Sequence, residues 1–316
     1  VLANEESYGN EAEVPLVSVL VPTKNSRDLL QKCLETLEGS IGDFQLETIV
    51  VDDGSTDGTG DMVRSRFPDV RLIRNEESRR FASATNQALH ASRGNKVLLL
   101  NSDIELPSDA IEKMLQPQPD GVVAVAPLLR GLDGQLQREY TFRKLPSLVD
   151  LGLNLLFFRR IAQLFRLRVG WDSNQASAEL DIDLEQPSAA CLLIEGHVLR
   201  ELGGLDESLP LWFNDVDLCK QLHRQGHRIR LVHDVSVVHW GGASISKMLS
   251  ADRVRYLYAD TLSYVKKWHP RAVPLFRFLI FVNLLVRSIA ALRHPREVGK
   301  WLGAIPRLVA PIFSKR

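Results

Sequence analysis

The apolar residues of this chain fall into short, nearly continuous runs that alternate with helix-like segments. Residues 16–22, LVSVLVP, read as a first strand, and SRDLLQKCLETLEG after them is helix-like, with Gly39 placed to end it. LETIVVDD at 46–53 is a second strand, followed by a GSTDGT turn, helix-like GDMVRSRF and a short strand VRLIRN. ASATNQALHASRG predicts a helix that stops at Gly94. Residues 97–101 then read as a strand buried on both faces. This alternation predicts an α/β fold with a largely parallel sheet and right-handed crossovers. After GVVAVAPLL at 121–129 the rhythm breaks. Residues 131–185 hold a polar turn, the apolar and basic stretch LGLNLLFFRRIAQLFRLR and an acidic patch, as an insertion or an acceptor-side region would. Order resumes with SAACLLIEGHVLRELGGLDE and LWFNDVDLCKQLHRQGHRIRLVHDVSVVHWGGAS, and no internal repeat or low-complexity segment is visible.

Two of the strands end in acids, Asp52 and Asp53 in one case, Asp103 and then Glu105 in the other. An unpaired buried charge is costly, so these acids need a reason. A polar loop or helix cap ahead of LPSDAIEKML is one. The other is a ligand site at the carboxyl ends of parallel strands, where open α/β sheets place their ligands. Facing one crevice, one acid could accept hydrogen bonds from a base or ribose while the other holds a divalent cation against a diphosphate. Mg²⁺ and Mn²⁺ prefer such oxygen ligands, and a nearby His favours Mn²⁺. FNDVDLCKQLHRQG has apolar spacing at Val216, Leu218/Cys219 and Leu222, which makes it helical and puts Asp215 and Asp217 in its first turn. The helix dipole alone favours acids there. His239 ends a strand-like run beside two glycines that let backbone approach a ligand closely.

With 316 residues, 45% of them hydrophobic, the chain can bury a core of one large or two small domains. Its 39 basic and 39 acidic residues cancel and give no general reason to expect nucleic acid. The balance hides a polarity, because residues 270–316 hold nine Lys or Arg against the single Glu297. Cys33, Cys191 and Cys219 lack CxxC spacing, which points to buried thiols in a reducing compartment and away from zinc. No signal-peptide pattern opens the sequence, which begins at Val1. The longest apolar run, 274–292, is interrupted by Arg277 and Arg287. A spanning helix needs about 20 mostly apolar residues, so this run suits a helix lying in a membrane surface, or one packed on the main domain or a second subunit.

VSVLVPTKN, IVVDDGSTDGT, FASATNQALHASRGNKVLLLNSDIEL, GGLDE and NDVDLCKQLHRQG stand in the order and spacing of the family 2 inverting glycosyltransferases. Over residues 15–244 the chain resembles most the bacterial branch that contains rhamnosyltransferases. The resemblance implies a glycosyltransferase A-type fold, with a mostly parallel central sheet flanked by helices and a C-terminal helical extension. The expected division is an N-terminal extension at 1–14, a nucleotide-sugar-binding half at 15–127, an acceptor-binding half at 128–250 and a basic, apolar tail at 251–316. The implied reaction is inverting transfer of a sugar from a nucleoside-diphosphate sugar to a hydroxyl of a cell-envelope or lipid-linked glycan, with Mg²⁺ or Mn²⁺ as cofactor. Rhamnose, galactofuranose, glucose and N-acetylhexosamine donors stay open. A cytoplasmic location, peripheral at the inner face of the plasma membrane, goes with the tail.

Residue by residue, Pro22, Thr23 and Asn25 match the loop under the nucleotide, and Asp53 matches the position that contacts the base. Asn101-Ser102-Asp103 matches the Asp-any-Asp metal motif with its first acid replaced, leaving Asp103 as the metal-contacting acid. His239 stands where a histidine can reach the metal or diphosphate. Asp215 matches the general base; its Glu neighbour is replaced by Asn214, which removes a like charge. Asp217 is expected to cap or pair within its helix. Trp212, Asn214 and Trp240 are candidate acceptor contacts, Trp240 by stacking on a sugar unless it closes the core. Arg79 and Arg80 precede Phe81 where the family usually has glycine; they either close over the diphosphate, with Arg80 as the binding residue, or are solvated loop residues. Lys24 replaces a base-stacking aromatic, and Ala189 replaces an acceptor-side glycine. Two alternatives compete: a nucleotidyltransferase, whose glycine-rich basic loop VPTKNSRDLL does not match, and an inactive nucleotide- or glycan-binding module, which Asn101 and Asn214 favour.

Overall fold

The structure, a computed structural model, describes residues 14–156, 182–209, 211–241 and 250–292. The expected N-terminal extension, most of the basic part of LGLNLLFFRRIAQLFRLR and the last residues of the tail lie outside the described residues. In the first half β1 (Leu16–Thr23), α1 (Arg27–Glu38), β2 (Gln45–Asp53), α2 (Thr59–Arg66), β3 (Arg71–Asn75), α3 (Phe81–Ala91) and β4 (Lys96–Leu100) alternate as the pattern predicts. After them come β5 (Ile104–Glu105), α4 (Ala110–Met114), β6 (Val122–Arg130), α5 (Arg138–Thr141), α6 (Leu148–Leu155) and β7 (Asp183–Leu184). The described chain closes with β8 (Cys191–Glu195), α7 (Gly196–Glu201), α8 (Asn214–Arg224), β9 (Arg228–His239), α9 (Ser250–Trp268) and α10 (Val273–Leu292).

The strands form one sheet in the order β3-β2-β1-β4-β8-β6-β9-β5, with β7 paired to β9. β3, β2, β1 and β4 are mutually parallel, and so are β6 and β9. Between these groups β8 runs antiparallel to both β4 and β6. The parallel prediction therefore holds within each group, and β8 joins them. Val17, Val19 and Val21 of β1 enter the core on one face of the sheet and Leu20 the core on the other. β4 divides likewise, Leu98 and Leu100 against Val97 and Leu99. A strand covered on both faces favours apolar residues at every position. β4 is unbroken from Val97, and the one polar residue in the interior of β1, buried Ser18, donates to Glu47 Oε2 (2.6 Å). All three cysteines are buried and free, as expected.

A third core packs the start of α8 against the C-terminal helices. Phe213 and Val216 meet Tyr258 and Val265 of α9 and Phe276, Ile280 and Leu284 of α10. Asp217 reinforces that contact by accepting from Gln221 Nε2 (2.8 Å) within its helix and from Lys267 Nζ (2.8 Å) and Trp268 Nε1 (2.7 Å) on α9. The C-terminal helices are thus part of the body that carries Asp215. On the outward side of α10, Leu275, Phe278, Phe281, Leu285 and Ile289 are exposed.

Asn86 on α3 joins the two halves. Its Nδ2 donates to Leu205 O (2.9 Å) and Glu207 Oε1 (3.0 Å), and its Oδ1 accepts from Leu205 N (2.8 Å). Gly204 beside it has φ of 82°, and a Cβ there would lie 2.3 Å from Asn86 Oδ1, so only glycine serves. This explains why TNQAL and GGLDE occur together. Asn86→Ala leaves the Leu205 amide and carbonyl unpaired in a buried setting and is expected to cost about 2–4 kcal/mol. A urea titration of the variant should show a lowered midpoint at unchanged slope.

Candidate active site

The carboxyl ends of β1, β2 and β4 open into a cleft of about 540 Å³, within the size range of small-molecule sites. Pro22, Thr23, Asn25, Asp53, Arg80, Asn101, Ser102, Asp103, Trp212, Asn214, Asp215 and His239 all line it, together with Lys24 and Ala189. Trp240 does not. Its indole N–H donates to Glu105 Oε1 (2.7 Å) and its ring lies under Lys32 Nζ at 4.2 Å, on the α1 side of the sheet. Successive residues at a strand end face opposite sides, so His239 in the cleft directs Trp240 away from it. The expected acceptor contact at Trp240 is therefore withdrawn.

Asp53 organises the near wall. Its Oδ1 accepts from Asn75 Nδ2 (2.9 Å) and Arg79 N (2.7 Å), and its Oδ2 from Ser78 Oγ (2.5 Å) and Arg80 N (3.0 Å). Burial would raise this carboxyl, but the bonds from Ser78, the Arg79 amide, Asn75 and the Arg80 amide together hold it below the usual carboxylate range. Four donors fill a carboxylate's acceptor capacity. This acid, which lines the cleft, also shapes the loop that carries Arg80. Arg80 has φ of 76° and ψ of 167°, a region that glycine alone enters easily. This is why glycine suits the position, and Asp53's grip on the neighbouring amides offsets the strain. On the first loop, Asn25 Oδ1 accepts from Thr56 N (2.8 Å) and Asn25 N donates to Ser55 Oγ (2.9 Å), tying VPTKN to the DDGST turn.

At the far end of β4, antiparallel pairing sets Ile104 opposite His239 and thereby brings Asp103 and His239 together. Trp240 N donates to Asp103 O (3.0 Å). Gln137 Nε2 donates to His239 O (3.0 Å), which turns its Oε1 to His239 Nδ1 at 2.7 Å. Nδ1 then carries the proton, and the neutral ring presents its Nε2 lone pair to Asp103 Oδ1 at 3.8 Å. That separation is too long for a hydrogen bond. Burial pushes the Asp103 carboxyl up and the His239 imidazole down, with their mutual attraction opposing both. Among the described residues no three His, Cys, Asp or Glu side chains converge on one point. A carboxylate and an imidazole lone pair facing one gap suit a cation that takes its remaining ligands from a bound diphosphate and water, as Mg²⁺ and Mn²⁺ commonly do.

Across the cleft Asp215 Oδ2 is ion-paired with Arg143 Nη2, each side chain only 16% exposed, and Asp215 Oδ1 accepts from Val216 N (2.8 Å). Among the described residues, four buried polar atoms of the cleft lack a hydrogen-bond partner: Thr23 Oγ1, Arg143 Nε, Trp212 Nε1 and Asn214 Oδ1. Such atoms are rare in folded proteins and mark where a ligand's polar groups can bind. Sequence reasoning missed Gln137, Tyr140 and Arg143, whose spacing of three sets a polar, aromatic and basic stripe along α5 and its end. It also missed Tyr256, which lines the cleft from α9, and Asp260 behind it.

Asp260 is fully buried, and its two oxygens accept from the amides of Leu211 (3.2 Å) and Trp212 (2.7 Å), fixing the segment that leads into α8. Burial outweighs those bonds and lifts its carboxyl to about 7. The folded protein thus holds this proton more tightly than the unfolded chain, and stability falls as pH rises from about 4 to about 7. Asp260→Asn removes that dependence and loses one amide acceptor. Melting temperatures should therefore show the variant below wild type at pH 5 and the gap narrowing or reversing by pH 8.

The sequence profile of Glycosyl transferase family 2 matches residues 18–167. A glycosyltransferase of Bacillus subtilis, YfnE, is 37% identical over 207 residues, covering 65% of this chain and 46% of that protein. The N-acetylglucosaminyl-diphospho-decaprenol L-rhamnosyltransferase of Mycobacterium tuberculosis is 26% identical over 212 residues, covering 61% of this chain and 66% of that protein. The chain spans less than two thirds of the length of the curated relatives it matches. A mannosyltransferase from Pyrobaculum calidifontis, solved with GDP-mannose and Mn²⁺, superposes with a TM-score of 0.55 at 19% identity, over 96% of this chain and 89% of that one. That likeness establishes the glycosyltransferase A-type fold. With the profile match and the motif order, it leads to one assignment: residues 18–167 of this chain belong to a family 2 glycosyltransferase domain.

Proposed function

We propose that the domain moves a sugar from a nucleoside-diphosphate sugar to an acceptor hydroxyl with inversion, and that Asp215 is the general base. The observation that carries this reading is one cleft with the Asp103–His239 pair on one wall and Asp215 on the other. The Thr23 hydroxyl and the Pro22–Asn25 loop lie under the nucleotide, and Arg80 covers the diphosphate from the strained loop. Asp103 and His239 would hold Mg²⁺ or Mn²⁺, which when bound neutralises charge on the departing diphosphate. Asp215 takes the acceptor hydroxyl's proton. The acceptor oxygen bonds the anomeric carbon as that carbon's bond to the phosphate oxygen breaks, and the nucleoside diphosphate leaves. Trp212 and Asn214, beside the base, face the acceptor.

The mycobacterial relative supports rhamnose as donor sugar and a polyprenyl-diphosphate-linked glycan of the cell envelope as acceptor. α10 supports a peripheral position at the inner face of the plasma membrane. By length and composition alone it is apolar enough to cross a bilayer, with a mean hydropathy of 1.8 over residues 270–289. Phe276, Ile280 and Leu284 nevertheless bind its inner side to the third core. An apolar outer side, in a sequence whose residues 270–316 hold nine Lys or Arg, suits an anionic lipid surface.

With a panel of nucleoside-diphosphate sugars and a polyprenyl-diphosphate-linked acceptor, Asp215→Asn should lower turnover by about 10²- to 10⁴-fold without weakening nucleotide binding. Turnover equal to wild type would remove Asp215 from the mechanism. Chelation should abolish transfer and Mn²⁺ restore it, and Asp103→Asn should raise the Mn²⁺ concentration needed. In flotation assays the protein should bind phosphatidylglycerol vesicles more than phosphatidylcholine ones. Replacing Phe278 and Phe281 together by Ser should weaken that binding by at least about tenfold, given the apolar area each ring would bury. Equal flotation of the double variant would argue against this face.

A further inference from the structure

We infer that Arg143 is a diphosphate-binding residue that exchanges partners: it holds Asp215 in the nucleotide-free protein and frees it to act as base when a diphosphate enters the cleft. The inference rests on the nucleotide-sugar reading of the cleft given above.

The first ground is the state of the base. A carboxylate gripped by a guanidinium is a poor acceptor for a hydroxyl proton, and Asp215 Oδ2 is gripped by Arg143 Nη2 while Oδ1 takes the Val216 amide. Asp215 keeps acceptor sites on both oxygens, but a proton arriving there faces the guanidinium's positive charge until Arg143 moves away. Breaking a buried ion pair with nothing in its place leaves two uncompensated charges, so release needs an incoming anion.

The second ground is the state of the arginine. Its Nε is buried without a partner although the residue lines the cleft, so the guanidinium is only partly satisfied by Asp215. A diphosphate offers several oxygens and more than one negative charge, and it matches the planar fork of an arginine better than one carboxylate oxygen does. A divalent cation on Asp103 and His239 would leave part of the diphosphate charge for such a partner.

The third ground is position. Gln186 N donates to Arg143 O (3.2 Å), so the backbone is fixed and only the side chain need move. The same short segment reaches the opposite wall: Gln137 bonds His239, and Tyr140 stacks edge-on against the His239 ring at 5.0 Å. The charges around Asp215 are few. Asn214 beside it on α8 is neutral, Asp217 is taken by Lys267, and Asp260 of α9 by two backbone amides. Among the described residues, Arg143 is the cation ion-paired with Asp215.

The test is a binding cycle read by calorimetry, with dTDP, UDP and GDP each tried in the presence of Mn²⁺ and the tightest carried forward. Proteins are wild type, Arg143→Gln, Asp215→Asn and the double variant. If Asp215 competes for Arg143, Asp215→Asn should tighten the nucleotide about three- to tenfold, and Arg143→Gln should weaken it by about tenfold or more. In the Arg143→Gln background, Asp215→Asn should change affinity by less than about twofold. Equal tightening in both backgrounds would mean simple repulsion by Asp215 and would overturn the exchange, as would weaker binding by Asp215→Asn alone. Should Arg143→Gln melt far below wild type, Arg143→Lys keeps the charge but not the fork. It should then weaken the nucleotide, and unchanged affinity would overturn the proposal. Failure of wild type to bind any of the three nucleotides would overturn both this inference and the function on which it rests.

Discussion

Every carboxylate buried around the cleft must be met by donors or by a cation, and this electrostatic constraint arranges the site. Asp53 is met by four donors from β3 and the loop before α3, and in being met it shapes that loop. Asp217 is met by three donors, two of them on α9, and so fastens the C-terminal helices to α8. Asp260 returns the contact by fixing the residues before α8. Two acids differ. Asp103 faces an imidazole lone pair across a gap, and Asp215 leans on an arginine whose Nε has no partner. Asp53 and Asp217 have three or four donors each, whereas Asp103 and Asp215, both lining the cleft, have incomplete shells.

The same constraint accounts for the local strain. Arg80 sits in a backbone region that costs on the order of 1–3 kcal/mol for a residue with a side chain. Two of Asp53's four hydrogen bonds come from the Arg79 and Arg80 amides, so the strained turn is held by the acid it surrounds. A charged side chain is thereby aimed into the cleft from a position where glycine would leave none.

The sheet divides the work between its halves. The parallel strands bring the first loop, the DDGST turn and Asp103 to one edge, as open α/β sheets do. β8 reverses direction, and beyond it β6 and β9 carry His239 back to that edge. α9 and α10 back the cleft wall that carries Asp215, with Tyr256 lining the cleft and Asp260 holding the amides of Leu211 and Trp212.

The sequence by itself determined the elements and the identity of most cleft residues. Nearly unbroken apolar runs report strands covered on both faces, three-and-four spacing reports α8, and the order of the acidic motifs reports one edge of one sheet. Each of those signals is local, fixed by the chain's own periodicity. Tertiary structure alone decided which groups meet. Asp103 and His239 come together only because two-residue β5 pairs with the end of β9, and a one-residue change of face put Trp240 on the far side. Arg143 and Asp260 lie in segments whose pattern carries no sign of the site, and they matter through single contacts between residues distant in the chain. Periodicity records how a segment packs on its neighbours. It does not record which buried charge a distant side chain will satisfy, because that depends on where folding leaves each charge.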